Sequence, residues 1–323
     1  MPRILVTASF PEELLARQTP ANSAVWNEFE FLFSPTDEAV DGWMVYDDLK
    51  YPLVQLCPPE NTLLITGEPT SVRRYRSRFT SQFAQVWTAQ SSIRHPHITY
   101  RNEAQPWLYA LRHSQAHGGP LGYDQLATLS RPVKPKLLSV ICSDKQITPD
   151  QRQRLQFTRY LQAELGDQID VFGRGWQELG DKADAIWPYQ YHIVLENDHN
   201  DHFMTEKISD CFLGWSYPIY FGGSEAYHLF PEGSFTAIDI YQPEQALAII
   251  RNLLSAPTYD TALPALTAAR EAVLNKHNLF AMLTDYWREN LVAKRPRMTR
   301  LLPKSHRTSL VLRHLGRTLR RAA

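Results

Sequence analysis

Apolar positions fall into two patterns along this chain. The first hundred residues carry short apolar runs separated by polar segments. Runs at Arg3–Val6, Phe29–Phe33, Gly42–Val45, Thr62–Thr66 and Val86–Thr88 have the length and the aromatic or β-branched content of strands. Mixed segments between them, Glu12–Arg17 and Ser71–Phe79, predict helices. A break follows from Ser114 to Lys136, with Gly118-Gly119-Pro120, Gly122 and Arg131-Pro132-Val133-Lys134-Pro135, the composition of a loop or interdomain linker.

Beyond the break the pattern is clearer. Lys136–Cys142 (KLLSVIC) predicts a buried strand, and Thr148-Pro149-Asp150-Gln151 a helix start. Thr148 suits the N-cap, Pro149 the first turn, and Gln151 completes a capping box. Phe157, Leu161 and Leu165 then recur every four residues as an inward face. Ile169–Phe172 is the next strand, closed by Gly173-Arg174-Gly175. From Tyr189 to Asp239 the chain alternates further: an apolar run ending at Glu196-Asn197, a polar loop, and a helical start at Thr205-Glu206-Lys207. The strand Tyr217–Phe221, the pair Gly222-Gly223 and a strand at Ser234–Ile238 follow. A helix from Pro243 to Leu254 and a long helical region from Leu263 to Leu291 complete the pattern. This predicts an α/β protein of two domains, 1–130 and 131–292, with a tail at 293–323. It also allows a late helix to cross back to the first domain.

Charge changes this picture at one end. The chain has 34 Lys/Arg and 34 Asp/Glu, yet ten Lys/Arg and no Asp or Glu lie from Lys294 onwards, leaving a body of net −10. An acidic body argues against nucleic acid as a partner, and a basic tail favours an anionic surface. From Ser309 onwards Val311, Leu312, Leu315 and Leu319 share one side among arginines, a pattern suited to a helix lying on an anionic membrane; a disordered basic tail is the alternative. Cys57, Cys142 and Cys211 form neither a disulfide framework nor a metal-ligand pair. With no signal peptide and no apolar run of about 18 or more residues, the expected location is the cytoplasm, peripheral on the inner face of the membrane through the tail.

The candidate chemistry sits at strand ends and helix starts, where open α/β sheets hold phosphorylated ligands. Lys207, in the first turn of a helix capped by Thr205, opposes the helix dipole unless an anion sits before it; a solvated surface lysine is the alternative. Arg154 borders the inward face of its helix and points back toward the sheet's carboxyl edge, where a guanidinium can fork onto phosphate; the alternative is a surface ion pair. Glu196, Asn197 and Glu206 could accept hydrogen bonds from sugar hydroxyls, although Glu206 also fits plain stabilisation of a helix start. Asp198-His199-Asn200-Asp201-His202 lacks a recognisable metal-ligand spacing, so no metal is expected there. Glu68, directly after an apolar strand, could serve as a general base. His95 with His97, and Trp107 with Tyr109, could line an acceptor groove, or lie in ordinary loops.

These residues carry a resemblance. LENDHNDHFMTEKISDCFLGWSYPIYFGG followed by FPEGSF is similar to the donor-binding segment of the family 10 glycosyltransferases, the α-1,3/α-1,4-fucosyltransferases, in order and spacing over about fifty residues. TGEP at Thr66–Pro69 resembles that family's strand-end glutamate motif. CSDKQITPDQRQRLQFTRYLQAEL and IDVFGRG, between Cys142 and Gly175, resemble its arginine-helix segment. Phe203 stands where the family usually has Tyr, and Leu195 where it has Phe.

The resemblance implies a bacterial-type member with the GT-B architecture, two Rossmann-like domains facing each other across a cleft. It implies inverting transfer of L-fucose from GDP-fucose to a glycan hydroxyl, such as GlcNAc or a related sugar of a surface polysaccharide or lipopolysaccharide. By position Glu68 matches the general base, and Arg154 and Lys207 the groups on the diphosphate. Asn197, Glu206, Glu196, Phe203 and Gly222 complete the donor-binding set. His95 and Trp107 are the acceptor-side candidates. No cofactor and no essential divalent metal are expected. Two alternatives stay open: the same architecture with another nucleotide sugar, and a non-catalytic glycan- or nucleotide-binding protein.

Overall fold

The computed structural model describes residues 1–10 and 15–305. The first domain supplies eight strands: β1 Arg3–Ala8, β2 Val25–Trp26, β3 Phe29–Leu32, β4 Gly42–Tyr46, β5 Leu53–Cys57, β6 Thr62–Ile65, β7 Gln85–Thr88 and β8 Ile98–Tyr100. Seven form one sheet in the order β2-β3-β1-β4-β6-β7-β8, parallel throughout except for the edge strand β2. Both faces of that sheet are covered, which is why its strands read as continuous apolar runs. Ile4, Val6, Met44 and Leu63 face one core, and Leu5, Trp43, Val45 and Leu64 the other.

The second domain holds β9 Lys136–Ile141, β10 Ile169–Phe172, β11 Tyr189–Leu195, β12 Tyr217–Phe221 and β13 Thr236–Ala237. All are parallel, in the order β10-β9-β11-β12-β13. That order reverses direction between β9 and β11, and such a switch point opens a crevice beyond the strand ends. Two doubly wound α/β domains that share one cleft make this a GT-B architecture.

The helix Pro149–Leu165 starts as its sequence predicts: the Thr148 hydroxyl accepts from Gln151 N at 3.1 Å, and the Gln151 side chain returns to the Thr148 N–H. Phe157, Leu161 and Leu165 are buried beneath it. Elsewhere the helices differ from expectation. In the 71–79 segment the helix is only Ser77–Thr80; of the helix expected at Glu12–Arg17, residues 12–14 lie outside the described residues and Ala16–Gln18 is a 3₁₀ turn. The long region splits into Leu263–Asn275 and Leu279–Asn290, because Asn278 leaves helical geometry and accepts from Phe280 N at 2.8 Å.

The domain limits also move. Trp107, Tyr109, Ala110 and Leu126, placed in the first domain from sequence, pack in the core of the second. Leu279–Asn290, inside the second domain's predicted limits, is the late helix that crosses back, and it buries Phe280, Leu283 and Trp287 in the core of the first. The chain therefore crosses near residue 104 and returns near 278. Linker composition marked neither crossing, because apolar faces chose their partners across the fold. Arg17 seals the first crossing, donating to the carbonyls of Trp107 at 2.7 Å and Leu121 at 2.6 Å.

Part of the basic tail is structural. Its strand β14, Arg297–Leu301, pairs antiparallel with β5, with Leu301 buried and Arg297 paired to Glu60 at 2.9 Å. The membrane helix expected from Ser309 lies outside the described residues. Among the described residues no helix is long and apolar enough to cross a membrane.

Candidate active site

A cleft of about 470 Å³ lies between the domains. The segments after β9 and β11 and the start of the helix Glu206–Leu213 form one wall, and the segment after β6 forms part of the other. Glu68, Arg154, Asn197, Phe203, Glu206 and Lys207, six of the residues singled out from sequence, border this one space.

The cationic wall is tightly organised. Thr205 caps the helix Glu206–Leu213, its hydroxyl accepting from Lys207 N, and Thr205, Glu206 and Lys207 at this helix start line the cleft. Glu196 is fully buried behind it. Its carboxylate accepts from Thr205 N, from the Thr205 hydroxyl and from Lys207 Nζ, each at 2.8 Å. Lys207 Nζ also donates to the Thr205 hydroxyl at 2.6 Å and stays one-quarter exposed at the cleft. Glu196 therefore corrects the sequence expectation. It touches no cleft; it aims Lys207 and the helix cap from behind.

Arg154 comes from the helix Pro149–Leu165, lies 7% exposed and donates Nη1 to the Asn197 side-chain oxygen. Its Nε makes no hydrogen bond among the described residues. A buried guanidinium with donors to spare is costly unless an acceptor arrives. Lys145, in the same segment as Arg154 but not singled out from sequence, also lines the cleft as a cation.

A second ion cluster stands beside the first. Lys182 Nζ donates to Glu206 at 2.6 Å and Asp210 at 2.7 Å. Asp210 in turn accepts from Leu108 N and Tyr109 N, each at 2.9 Å, and so ties the crossing segment to this wall. Burial pushes the Glu206 carboxyl up, but Lys182 and Lys207 outweigh it and hold it down at about 2. Asp210 shifts upward, through burial and the Glu206 charge. Neither Lys182 nor Asp210 had a sequence signal, since their partners lie 24 to 102 residues away.

The facing wall is different. Backbone bonds from three side chains fix the turn carrying Glu68: Gln105 Nε2 to Gly67 O at 2.9 Å, Gln90 Nε2 to Glu68 O at 2.6 Å, and Gly67 N to the Tyr75 hydroxyl at 3.0 Å. The Glu68 carboxylate itself makes no hydrogen bond or ion pair among the described residues. Burial raises its pKa; Arg73 and Lys207 oppose the shift, and Asp47 and Glu206 add to it. A partly desolvated, unpaired carboxylate in reach of the opposite wall's charges has the profile of a proton acceptor. Glu68 also borders an adjoining cavity of about 230 Å³ with Phe10, Tyr46, Asp47, Gln105 and Leu108.

Three expected residues lie elsewhere. His95 bonds the carbonyls of His97 at 3.0 Å and Phe83 at 3.1 Å, and borders neither cavity beside Glu68. Trp107 is 1% exposed in the second core. Gly222 lines neither cavity; a Cβ there would meet the Tyr220 hydroxyl at 2.2 Å and Glu196 Cγ at 2.7 Å, so it is a packing glycine. In the polar loop, His202 pairs with Glu225 at 2.8 Å. Asp198 and His199 gather with Asp150, their ligand atoms within 4.8 Å of one another. Ser71 and Asn200 donate to Asp198, and the Tyr241 hydroxyl donates to Asp150.

Comparison with known proteins adds a family. Residues 132–259 match the family model for glycosyltransferase family 10 (fucosyltransferase), C-terminal part. No curated protein matches the chain. Among solved structures, the chain is similar to an alpha1,3-fucosyltransferase with GDP-fucose, at 16% identity over 82% of each chain and a TM-score of 0.48. It is also similar to the glycotransferase of kitacinnamycin, at 11% identity over 90% of this chain and 100% of that one, with a TM-score of 0.41. At these levels the structural likenesses are remote.

Proposed function

We propose, from the premise that this chain belongs to glycosyltransferase family 10 through its second domain, that the protein transfers L-fucose from GDP-fucose to a hydroxyl of a glycan acceptor. The supporting observation is one cleft in which the unpaired carboxylate of the first domain meets the cationic wall of the second. A nucleoside diphosphate sugar carries its negative charge in the middle. Arg154, Lys207, Lys145 and the N-terminus of the helix Glu206–Leu213 take the diphosphate. Asn197 and Phe203 flank the sugar.

The acceptor enters through the adjoining cavity beside Phe10 and Tyr46, whose rings give a sugar an apolar face. Its hydroxyl is far too weak an acid to ionise near neutral pH. Glu68 takes the proton as the oxygen attacks the anomeric carbon from the side opposite GDP. A new C–O bond forms as the bond to the β-phosphate oxygen breaks, and the anomeric configuration inverts. Charge grows on the departing phosphate, where fixed cations stabilise it without having to reorganise. The reading assigns no step to a divalent metal.

The acceptor is a neutral sugar, GlcNAc or a relative in a surface polysaccharide. A place on the cytoplasmic face of an anionic membrane, held by the basic residues after Lys304, is part of the same proposal. The test is a thermal-shift panel of GDP-, UDP-, ADP- and CMP-sugars, followed by transfer to glycan acceptors. A ligand that binds only the folded state raises its stability by mass action. Selective stabilisation by GDP-fucose with transfer is the expected result. Selective stabilisation by another nucleotide sugar would replace the donor, and stabilisation by none would end the enzyme reading.

A further inference from the structure

The transfer chemistry leaves part of the cleft lining unused. Ile141, Ile186 and Val194 give it apolar surface, and His192 and Lys182 add polar groups. His192 lies in β11, three residues before the strand ends, and is 4% exposed. Its Nδ1 sits 2.8 Å from the Ser139 hydroxyl, and that hydroxyl lies 2.5 Å from the Ala185 carbonyl. A carbonyl can only accept, so Ser139 spends its single proton there. Ser139 must then accept from the ring, which puts the imidazole proton on Nδ1. Nε2 is left as a bare acceptor, and it has no partner among the described residues.

The ring also stays neutral. Burial, and then the charges of Lys182 and Lys134, push its pKa down to about 3. Lys182 has three N–H groups and gives two to Glu206 and Asp210, so one remains. His192 and Lys182 therefore offer the cleft an acceptor and a donor.

We propose that His192 Nε2 and the remaining Lys182 N–H read a lactam edge, an N–H beside a C=O, on the base of the donor nucleotide. Guanine presents that edge through N1–H and O6. Adenine presents the reverse, an acceptor at N1 and a donor at N6, which would set donor against donor and acceptor against acceptor. A site built to bond a particular group rejects a ligand that leaves its polar atoms unpaired. His192 thus acts as a specificity residue and takes no part in the bond changes. This inference rests on the nucleotide-donor reading above.

The test titrates GDP, IDP and ADP calorimetrically into the full chain and two variants. IDP keeps the lactam edge of GDP without its 2-amino group. His192→Asn places an amide where Nδ1 lies and can keep the Ser139 bond, but it does not reach the cleft. His192→Gln places an amide oxygen where Nε2 lies. The wild type is expected to bind GDP and IDP at least tenfold more tightly than ADP. His192→Asn should lose that preference through weaker GDP and IDP binding, with ADP unchanged and an unliganded melting temperature like that of His192→Gln. His192→Gln should keep most of it. A preference that survives in His192→Asn, or one that falls equally in both variants, overturns the His192 role while leaving the transferase reading intact. A wild type that binds no nucleoside diphosphate overturns both.

Discussion

The two walls of the cleft are built on the same kind of sheet but handle charge in opposite ways. On the second-domain wall two ion clusters are braced from behind: Glu196 holds Lys207 and Thr205, and Lys182 joins Glu206 to Asp210. On the first-domain wall Glu68 is held only by its backbone, and its carboxylate faces the cleft alone. The contrast follows from what each wall must do. Cations that stabilise a leaving group act best when fixed in advance. A base must be able to accept a proton, so a permanent partner would lower its basicity.

Substitutions can break this contrast from either side. The largest effect is expected at Glu68. Glu68→Gln should lower kcat by about 10³-fold while leaving the Kd for GDP within about twofold; transfer assays with calorimetry check this, and near-normal turnover removes Glu68 from its role. Glu196→Gln should lower unfolding free energy by about 2 kcal/mol, because a charge-assisted bond to Lys207 is lost in a buried setting. Denaturant titration measures it, and an unchanged midpoint would show that Glu196 holds nothing. Lys207→Ala should weaken GDP about tenfold, the scale of one charge-assisted contact, and lower kcat as well. Equal GDP affinity in the variant would move the diphosphate elsewhere.

Acidity separates the walls as well. Glu206 has a folded-state pKa of about 2, below its ordinary value of 4.5. Its contribution to stability is therefore fully present above about pH 4.5 and is lost as pH falls toward 2. Stability measured from pH 6 down to 3 should fall less steeply in Lys182→Met than in the wild type. Glu68 is shifted the other way, so the acid limb of kcat/KM should lie above 4.5 and disappear in Glu68→Gln. The smallest effect is expected at His95, which borders neither cavity beside Glu68: His95→Ala should leave kcat/KM within about twofold. A large loss there would place the acceptor on a surface away from both cavities.

Local pattern carried much of the fold and half of the site. The capping box at Thr148 and Gln151, the apolar strands and the cap at Thr205 each depend on residues within a few positions of one another, so the sequence alone determined them. It also placed Glu68, Arg154, Asn197, Glu206 and Lys207 at strand ends and helix starts, the positions that face a crevice. Tertiary structure decided the rest. Nothing local distinguishes Glu196 as a buried brace from Asn197 as a cleft group, because strand alternation sends neighbouring side chains to opposite sides. Lys182, Asp210 and His192 acquire their roles from partners 24 to 102 residues away. The first crossing between the domains was hidden for the same reason, whereas the pattern had allowed the return by a late helix. An apolar face records that it must be buried, but only the assembled molecule settles which core will bury it.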